Sequence, residues 1–311
     1  MKEPKNENKP KIIVILGPTA TGKSDLGVRL AKKFNGEIVS ADSRQVYTGL
    51  DIGSGKITKK EMLGIPHYLL DVISPINKKR KELQKPFSVV NYQKKAYKAI
   101  DKILTKNKIP ILVGGTAFYI QSIVDGIVLP EVAANPTLRL QLEKEPIEKL
   151  QRKLKKLDPK RYSEIDIKNK VRLIRAIEIA TTLGSVPKTK AKPKYNCLQI
   201  GLKLPTEKLH ENIVKRLTKR MSQGMLEEAR LLHQKGLSWK KMEALGLEYR
   251  YQAQYLQNKI TKEKMLEKIL NKSHQFAKRQ MTWFKRDPRI NWFDSNKKDM
   301  KKIEKTIFDF L

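Results

Sequence analysis

The stretch Gly17-Pro18-Thr19-Ala20-Thr21-Gly22-Lys23-Ser24 follows directly on the apolar run Ile12-Ile13-Val14-Ile15-Leu16. It fits GxxxxGK[ST] behind a strand signal. A helix signal follows it, with Leu26, Leu30, Ala31 and Phe34 at helical spacing up to Asn35-Gly36. That spacing solves one physical problem, holding a polyphosphate without crowding it. Gly17 and Gly22 let the backbone turn so that successive amides form an anion nest. Lys23 adds a point charge, the Ser24 hydroxyl is a ligand for Mg²⁺, and the following helix presents its positive end to the same anion. Residues 17–24 are therefore read as a phosphorylated-ligand site.

Outward from this loop, strand and helix signals alternate. Glu37-Ile38-Val39-Ser40-Ala41 reads as a second strand, a helix is expected around Val90 to Leu104, and Ile109 to Val113 reads as a third strand ending at Gly114-Gly115. Short apolar strands alternating with helices imply a parallel sheet, with ligands at the carboxyl ends of its strands. The expected fold class is thus α/β, a P-loop NTPase-like doubly wound parallel sheet with a helical insertion. The core is assigned to 11–130 and 191–311, the insertion to 131–190, and residues 1–10 to a flexible basic tail. Within the insertion, Val171, Ile174 and Ile177 read as an apolar helix face, and Ser185 to Lys194 as a linker. Beyond it, Leu198 to Leu204 alternates like a half-buried strand. A helix carries Leu209, Ile213, Leu217 and Met221, flanked by Lys215, Arg216, Lys219 and Arg220. A long helix over roughly 262–286 and a strand over 290–293 close the chain.

The 311 residues carry 66 Lys plus Arg against 32 Asp plus Glu, a net charge of +34, and that field favours a polyanionic partner, nucleic acid first. Cys197 is the only cysteine, which excludes an internal disulfide or a thiolate metal site and fits a reducing cytoplasm. Residues 1–11 are polar, and Ile12 to Leu16 is far too short for a membrane span, so no membrane association is expected.

Two further stretches bear on chemistry. In Ser40-Ala41-Asp42-Ser43-Arg44-Gln45-Val46-Tyr47, Asp42 stands just past a strand end. A carboxylate there can take a proton or hold Mg²⁺, and Asp is equally at home as a turn or cap residue; the residues alone leave both readings open. Gly114-Gly115-Thr116 lets backbone approach a ligand, or makes an ordinary strand-to-helix turn. That strand ends without the Asp by which NTP hydrolases help hold Mg²⁺; the nearest substitute is Asp71. His67 reads as a hydrogen-bonded structural residue, and Trp283 and Phe284 read as core packing ahead of stacking surfaces.

Together with IPHYLLDVISP (65–75), IPILVGGTAFY (109–119), VRLIRAIE (171–178) and FAKRQMTWFKRD (276–287), the segments GPTATGKS (17–24) and GEIVSADSRQVYTGLDIGSGK (36–56) resemble the tRNA dimethylallyltransferases in order and over most of the chain. The resemblance implies a monomeric cytoplasmic enzyme that uses Mg²⁺. It implies transfer from dimethylallyl diphosphate to the exocyclic amine of the adenosine 3′ of the anticodon in a tRNA anticodon stem-loop. It assigns Asp42 as general base, Thr19 as orienter of the diphosphate and Arg216 as brace for the leaving group. It also assigns tRNA contacts to Asp42, Ser43, Arg44, Gln45, Thr116, Arg139, Val171, Arg172, Leu173, Ile174 and Arg175. Ala117, Val171 and Leu247 depart from the family's common Gly, Gln and Tyr. Rival readings are transfer to free adenylate, a small-molecule kinase, and a non-catalytic RNA binder; the first leaves the basic insertion without a purpose.

Overall fold

Strand β1 (Lys11–Leu16) is apolar from Ile12 on because both its faces are covered, and each of those five side chains is fully buried. The computed structural model describes residues 9–76, 87–188, 190–295 and 299–311; residues 1–8 of the expected tail lie outside them. Two units compose the chain: Met1–Gly126 with Pro193–Leu311, and Ile127–Lys192.

The first unit runs β1, α1 (Lys23–Lys33), β2 (Gly36–Ala41), α2 (Lys59–Met62), β3 (His67–Tyr68), α3 (Val89–Leu104), β4 (Ile109–Gly114) and α4 (Ala117–Val124). The second unit holds β5 (Ile127–Val128), α5 (Pro136–Lys144), α6 (Ile147–Leu157), α7 (Pro159–Glu164), α8 (Lys170–Leu183) and β6 (Lys190–Ala191). The first unit then resumes with β7 (Asn196–Lys203), α9 (Thr206–Ser222), α10 (Met225–Gln234), α11 (Trp239–Leu245) and α12 (Leu247–Leu256). It ends with α13 (Lys262–Phe284), β8 (Ile290–Asp294) and α14 (Met300–Phe310).

Among the described residues the main sheet has six strands in the order β3-β2-β4-β1-β7-β8, all parallel. Period-two alternation sorts its side chains into two cores. Ile12, Val14, Leu16 and Leu112 pack with Tyr92, Ile100 and Ile103 of α3 and Ile120 and Ile123 of α4. Ile13, Ile15, Ile111 and Val113 pack with Leu26 and Leu30 of α1 and Ile303 and Ile307 of α14. Each such aliphatic side chain removed from water contributes roughly 1.5–3 kcal/mol. Helices on both faces of a parallel sheet make the doubly wound arrangement expected from the alternation.

Three local expectations change. β7 is an interior strand between β1 and β8, not a half-buried one. Its polar Gln199 is 3 % exposed and donates to Asp287 Oδ2 at 3.1 Å, and Gly201 leaves room for Ile290 and Trp292. The stretch read as a linker contains β6, which pairs antiparallel with β5. The inward face of α8 is Leu173, Ile174, Ala176 and Ile177, whereas Val171 on its first turn is 77 % exposed. Among the described residues no helix is long and apolar enough to cross a membrane.

Candidate active site

The loop after β1 is shaped by backbone that only small residues tolerate. Gly17 has φ +142°, and a Cβ there would lie 2.4 Å from the Leu202 carbonyl oxygen at the end of β7. Ala20 (φ 64°) and Gly22 (φ 79°) complete the curl. The Thr21 hydroxyl and the Lys23 ammonium both donate to the Pro18 carbonyl, at 2.9 and 2.5 Å, and Asn212 Nδ2 on α9 donates to the Ala20 carbonyl at 3.2 Å. Gly22 offers α1 no side-chain cap. The first-turn amides of α1 therefore receive no side-chain acceptor from the N-cap, the arrangement found where a helix N-terminus meets an anion.

This loop floors a cleft of about 450 Å³ lined by Thr19, Lys23, Ser24, Asp42, Gly115 and Arg216, among others. The strand order accounts for the meeting. β4 lies between β1 and β2, so the residues following all three strands converge at one sheet edge. Burial, then the neighbouring Arg216 guanidinium, lower the Lys23 ammonium from 10.5 to about 7, opposed by Asp42. Arg216 is itself lowered to about 10 by burial and by Arg220, and stays a cation at neutral pH. Its Nη1 lies 3.5 Å from Thr19 Oγ1. Lys23 and Arg216 thus stand close together in a half-buried cleft that also holds Lys215 and the carboxylates of Asp25, Asp42 and Glu61, and an anion placed between the two basic groups would favour both protonated forms.

Asp42 makes the turn its sequence allows and also faces the cleft. Its Oδ1 accepts from the Arg44 and Gln45 amides at 2.7 and 3.2 Å, an Asx-type turn, while the residue lines the cleft with Lys23. Ser43 donates its amide to Thr116 Oγ1 at 3.0 Å, so Thr116 pins this turn from the start of α4. The Gln45 side chain donates to the Gly55 carbonyl at 3.3 Å. Arg44 is half-buried and donates to the Ser43 carbonyl at 3.4 Å.

In the second unit, Arg139 and Arg175 both turn to Glu178, which is 1 % exposed. Burial would raise that carboxyl, but Arg139, the Asn135 amide and Arg175 together hold it below the usual range. Arg172 and Val171 are exposed. Leu173 and Ile174, expected as contact residues, are 0 and 6 % exposed in the unit's core, so their side chains are withdrawn from any ligand: helical phase turns them inward. Asp71 is not among the residues lining the cleft and pairs with Lys56 at 2.5 Å. His67 bonds the Ile65 carbonyl through Nδ1 at 2.8 Å, and Phe284 is 3 % exposed in the core with Trp283 packed against it, as their sequence readings hold.

Several cleft residues were given no role by the sequence reading: Asn212 and Glu61, and Ser54, Gly55, Phe276 and Gln280 within stretches that carry the resemblance. One signal was present. Gln280 sits between Ala277 and Phe284 at helical spacing on a buried face, where a polar side chain must have a partner. For a metal, the cleft offers the Ser24 hydroxyl and the carboxylates of Asp25, Asp42 and Glu61, but no group of three His, Cys, Asp or Glu close enough to hold an ion occurs among the described residues. Such an oxygen set fits Mg²⁺, which leans on substrate phosphates and few protein ligands.

A family model described as IPP transferase matches residues 45–287. The chain is 40% identical over 308 residues to the tRNA dimethylallyltransferase of Carboxydothermus hydrogenoformans, covering 96% of each. It is 41% identical over 295 residues to tRNA dimethylallyltransferase 2 of Treponema denticola, covering 92% of this chain and 96% of that one. Among solved structures it superposes on the full-length tRNA isopentenylpyrophosphate transferase of Bacillus halodurans with a TM-score of 0.71 and 34% identity, over 97% of this chain and 96% of that one. A eukaryotic dimethylallyltransferase acting on tRNA gives a TM-score of 0.78 at 26% identity, over 96% of this chain and 78% of that one.

Proposed function

The chain belongs to the IPP transferase family, and from that premise we propose how its cleft works. It transfers the dimethylallyl group of dimethylallyl diphosphate to the N6 amine of the adenosine 3′ of a tRNA anticodon. The C1–O bond breaks with its electron pair leaving on the diphosphate, a C1–N6 bond forms, and the amine proton passes to the Asp42 carboxylate. Lys23, Arg216 and the amides of residues 17–24 receive the charge that builds on the leaving group. Thr19, beside Arg216, orients that group. Ser24, with a cleft carboxylate, would hold Mg²⁺, which supplies further charge neutralisation to the diphosphate. The adenine must leave its stack to reach the cleft, and an unstacked loop base is the usual target of RNA readers. The Asp42–Gln45 turn and Thr116 border its path, with Val171, Arg172, Arg139 and Arg175 as contacts from the second unit. The protein acts as a cytoplasmic monomer.

One observation carries this reading: a phosphate loop, an arginine 192 residues beyond Ser24 and a carboxylate from a third segment share one cleft. A phosphate-loop kinase would also want an Asp at a strand end to help hold Mg²⁺, where β4 here ends in Gly114. The deciding experiment incubates the protein with dimethylallyl diphosphate, Mg²⁺ and tRNA and analyses tRNA nucleosides by mass spectrometry, with AMP as rival acceptor. A prenylated adenosine in tRNA is expected. Prenylation of AMP alone, or γ-phosphate transfer from ATP without prenylation, would overturn the assignment.

A further inference from the structure

Gln280 on α13 is a carboxamide only 5 % exposed, and it bridges two loops that the sequence separates widely. Its Oε1 accepts from the Thr19 amide at 2.9 Å, and its Nε2 donates to the Gly115 carbonyl at 2.8 Å. An amide proton on one side and a carbonyl on the other admit a single orientation of the side chain. A Cβ at Gly115 would stand 2.4 Å from Gln280 Nε2, so the glycine leaves the space the carboxamide occupies. Gln280 thus joins the loop after β1 to the loop after β4, both of which line the cleft.

The bridge has a chemical consequence. The Thr19 amide is the one amide of the phosphate loop given a side-chain acceptor among the described hydrogen bonds, so it is withdrawn from the anion-binding set. With its amide held, Thr19 keeps its hydroxyl beside Arg216 Nη1. Gly115 continues into Thr116, whose hydroxyl holds the Ser43 amide and through it the turn that carries Asp42. One side chain therefore sets the spacing between the group that steadies the leaving diphosphate and the group that takes the proton. We propose that Gln280 is a positioning residue for prenyl transfer, fixing the phosphate loop relative to the Asp42 turn. This inference rests on the prenyl-transfer reading of the same cleft.

The test uses two variants. Gln280→Glu is nearly isosteric and still accepts from Thr19, but sets a second oxygen against the Gly115 carbonyl. Gln280→Met keeps the bulk and loses both bonds. Measured are kcat, the dissociation constant of inorganic pyrophosphate, that of tRNA, and thermal melting. Displacement of reacting groups by about 1 Å costs on the order of a hundredfold, so kcat should fall by about that factor in both variants. Pyrophosphate should bind several-fold more weakly, with tRNA affinity within twofold and Gln280→Glu still melting cooperatively. If Gln280→Glu keeps kcat and pyrophosphate affinity within twofold of the parent, the proposal is wrong. Loss of tRNA affinity with pyrophosphate binding and kcat intact overturns it too, by making Gln280 a base contact. Pyrophosphate binding is read without any prenyl acceptor. A parent protein that fails to prenylate tRNA would therefore sink the functional reading and leave the structural bridge separately tested.

Discussion

Lys23 gives the sharpest quantitative expectation. Its ammonium sits at about 7 because burial and Arg216 outweigh the attraction of Asp42. A bound diphosphate places negative charge beside it and restores its proton. Binding is then linked to proton uptake: about half a proton at pH 7 and close to one near pH 8.5. At about pH 9 only about one lysine in a hundred is charged before binding, so the lysine's share of the affinity falls roughly fiftyfold between pH 7 and 9. Titration calorimetry of pyrophosphate in buffers of different ionisation enthalpy reads the uptake directly. Lys23→Met, which cannot titrate, subtracts the ligand's own protonation. Equal proton uptake in parent and Lys23→Met at about pH 8 would refute the reasoning. The sign for stability runs opposite to that for binding. The folded value lies below the unfolded one, so between about 7 and 10.5 the unfolded chain holds more protons, and stability of the free protein rises with pH across that window. Lys23→Met should abolish that rise.

Other outcomes follow from neighbouring groups. Asp42→Asn keeps an acceptor for the Arg44 and Gln45 amides but cannot take a proton. Its kcat should drop by roughly 10²–10⁴ with melting unchanged, whereas Asp42→Ala should also weaken tRNA binding by loosening the turn; kinetics of the pair separate the two roles. Glu178→Ala leaves two guanidinia facing each other in the second unit. The cost should be about 3 kcal/mol, the low end for a broken buried pair because both arginines are a third exposed, seen as faster hydrogen exchange in α8 with the sheet unaffected. In the parent, the contribution of Glu178 is complete above the ordinary 4.5 and is lost as pH falls through its lowered folded value, so α8 protection should fade in acid. Finally, tRNA affinity should fall linearly with log salt concentration, and charge reversal at Arg172 should reduce that slope by about one. A flat salt response would place the tRNA elsewhere than on the basic surface.

Residues 17–24 were legible because everything they need is local: two glycines for the turn, a lysine and a hydroxyl at fixed offsets, and a strand and helix on either side. The alternation of the sheet was legible for the same reason, since burial on both faces writes itself as unbroken apolar runs. Sequence periodicity was less informative where helical phase depends on which neighbours arrive, as at Val171, or where a glycine admits a neighbouring strand, as at Gly201. What no local pattern could give is the joinery of the cleft. Thr19 meets Gln280 across 261 positions and Arg216 across 197, and Ser43 meets Thr116 across 73. Thr19, Ser43 and Thr116 converge because parallel strands bring their carboxyl ends to one edge whatever their order along the chain, while Arg216 and Gln280 reach that edge from α9 and α13. The chain's local chemistry chose the anion; the crossing of its strands chose which side chains would surround it.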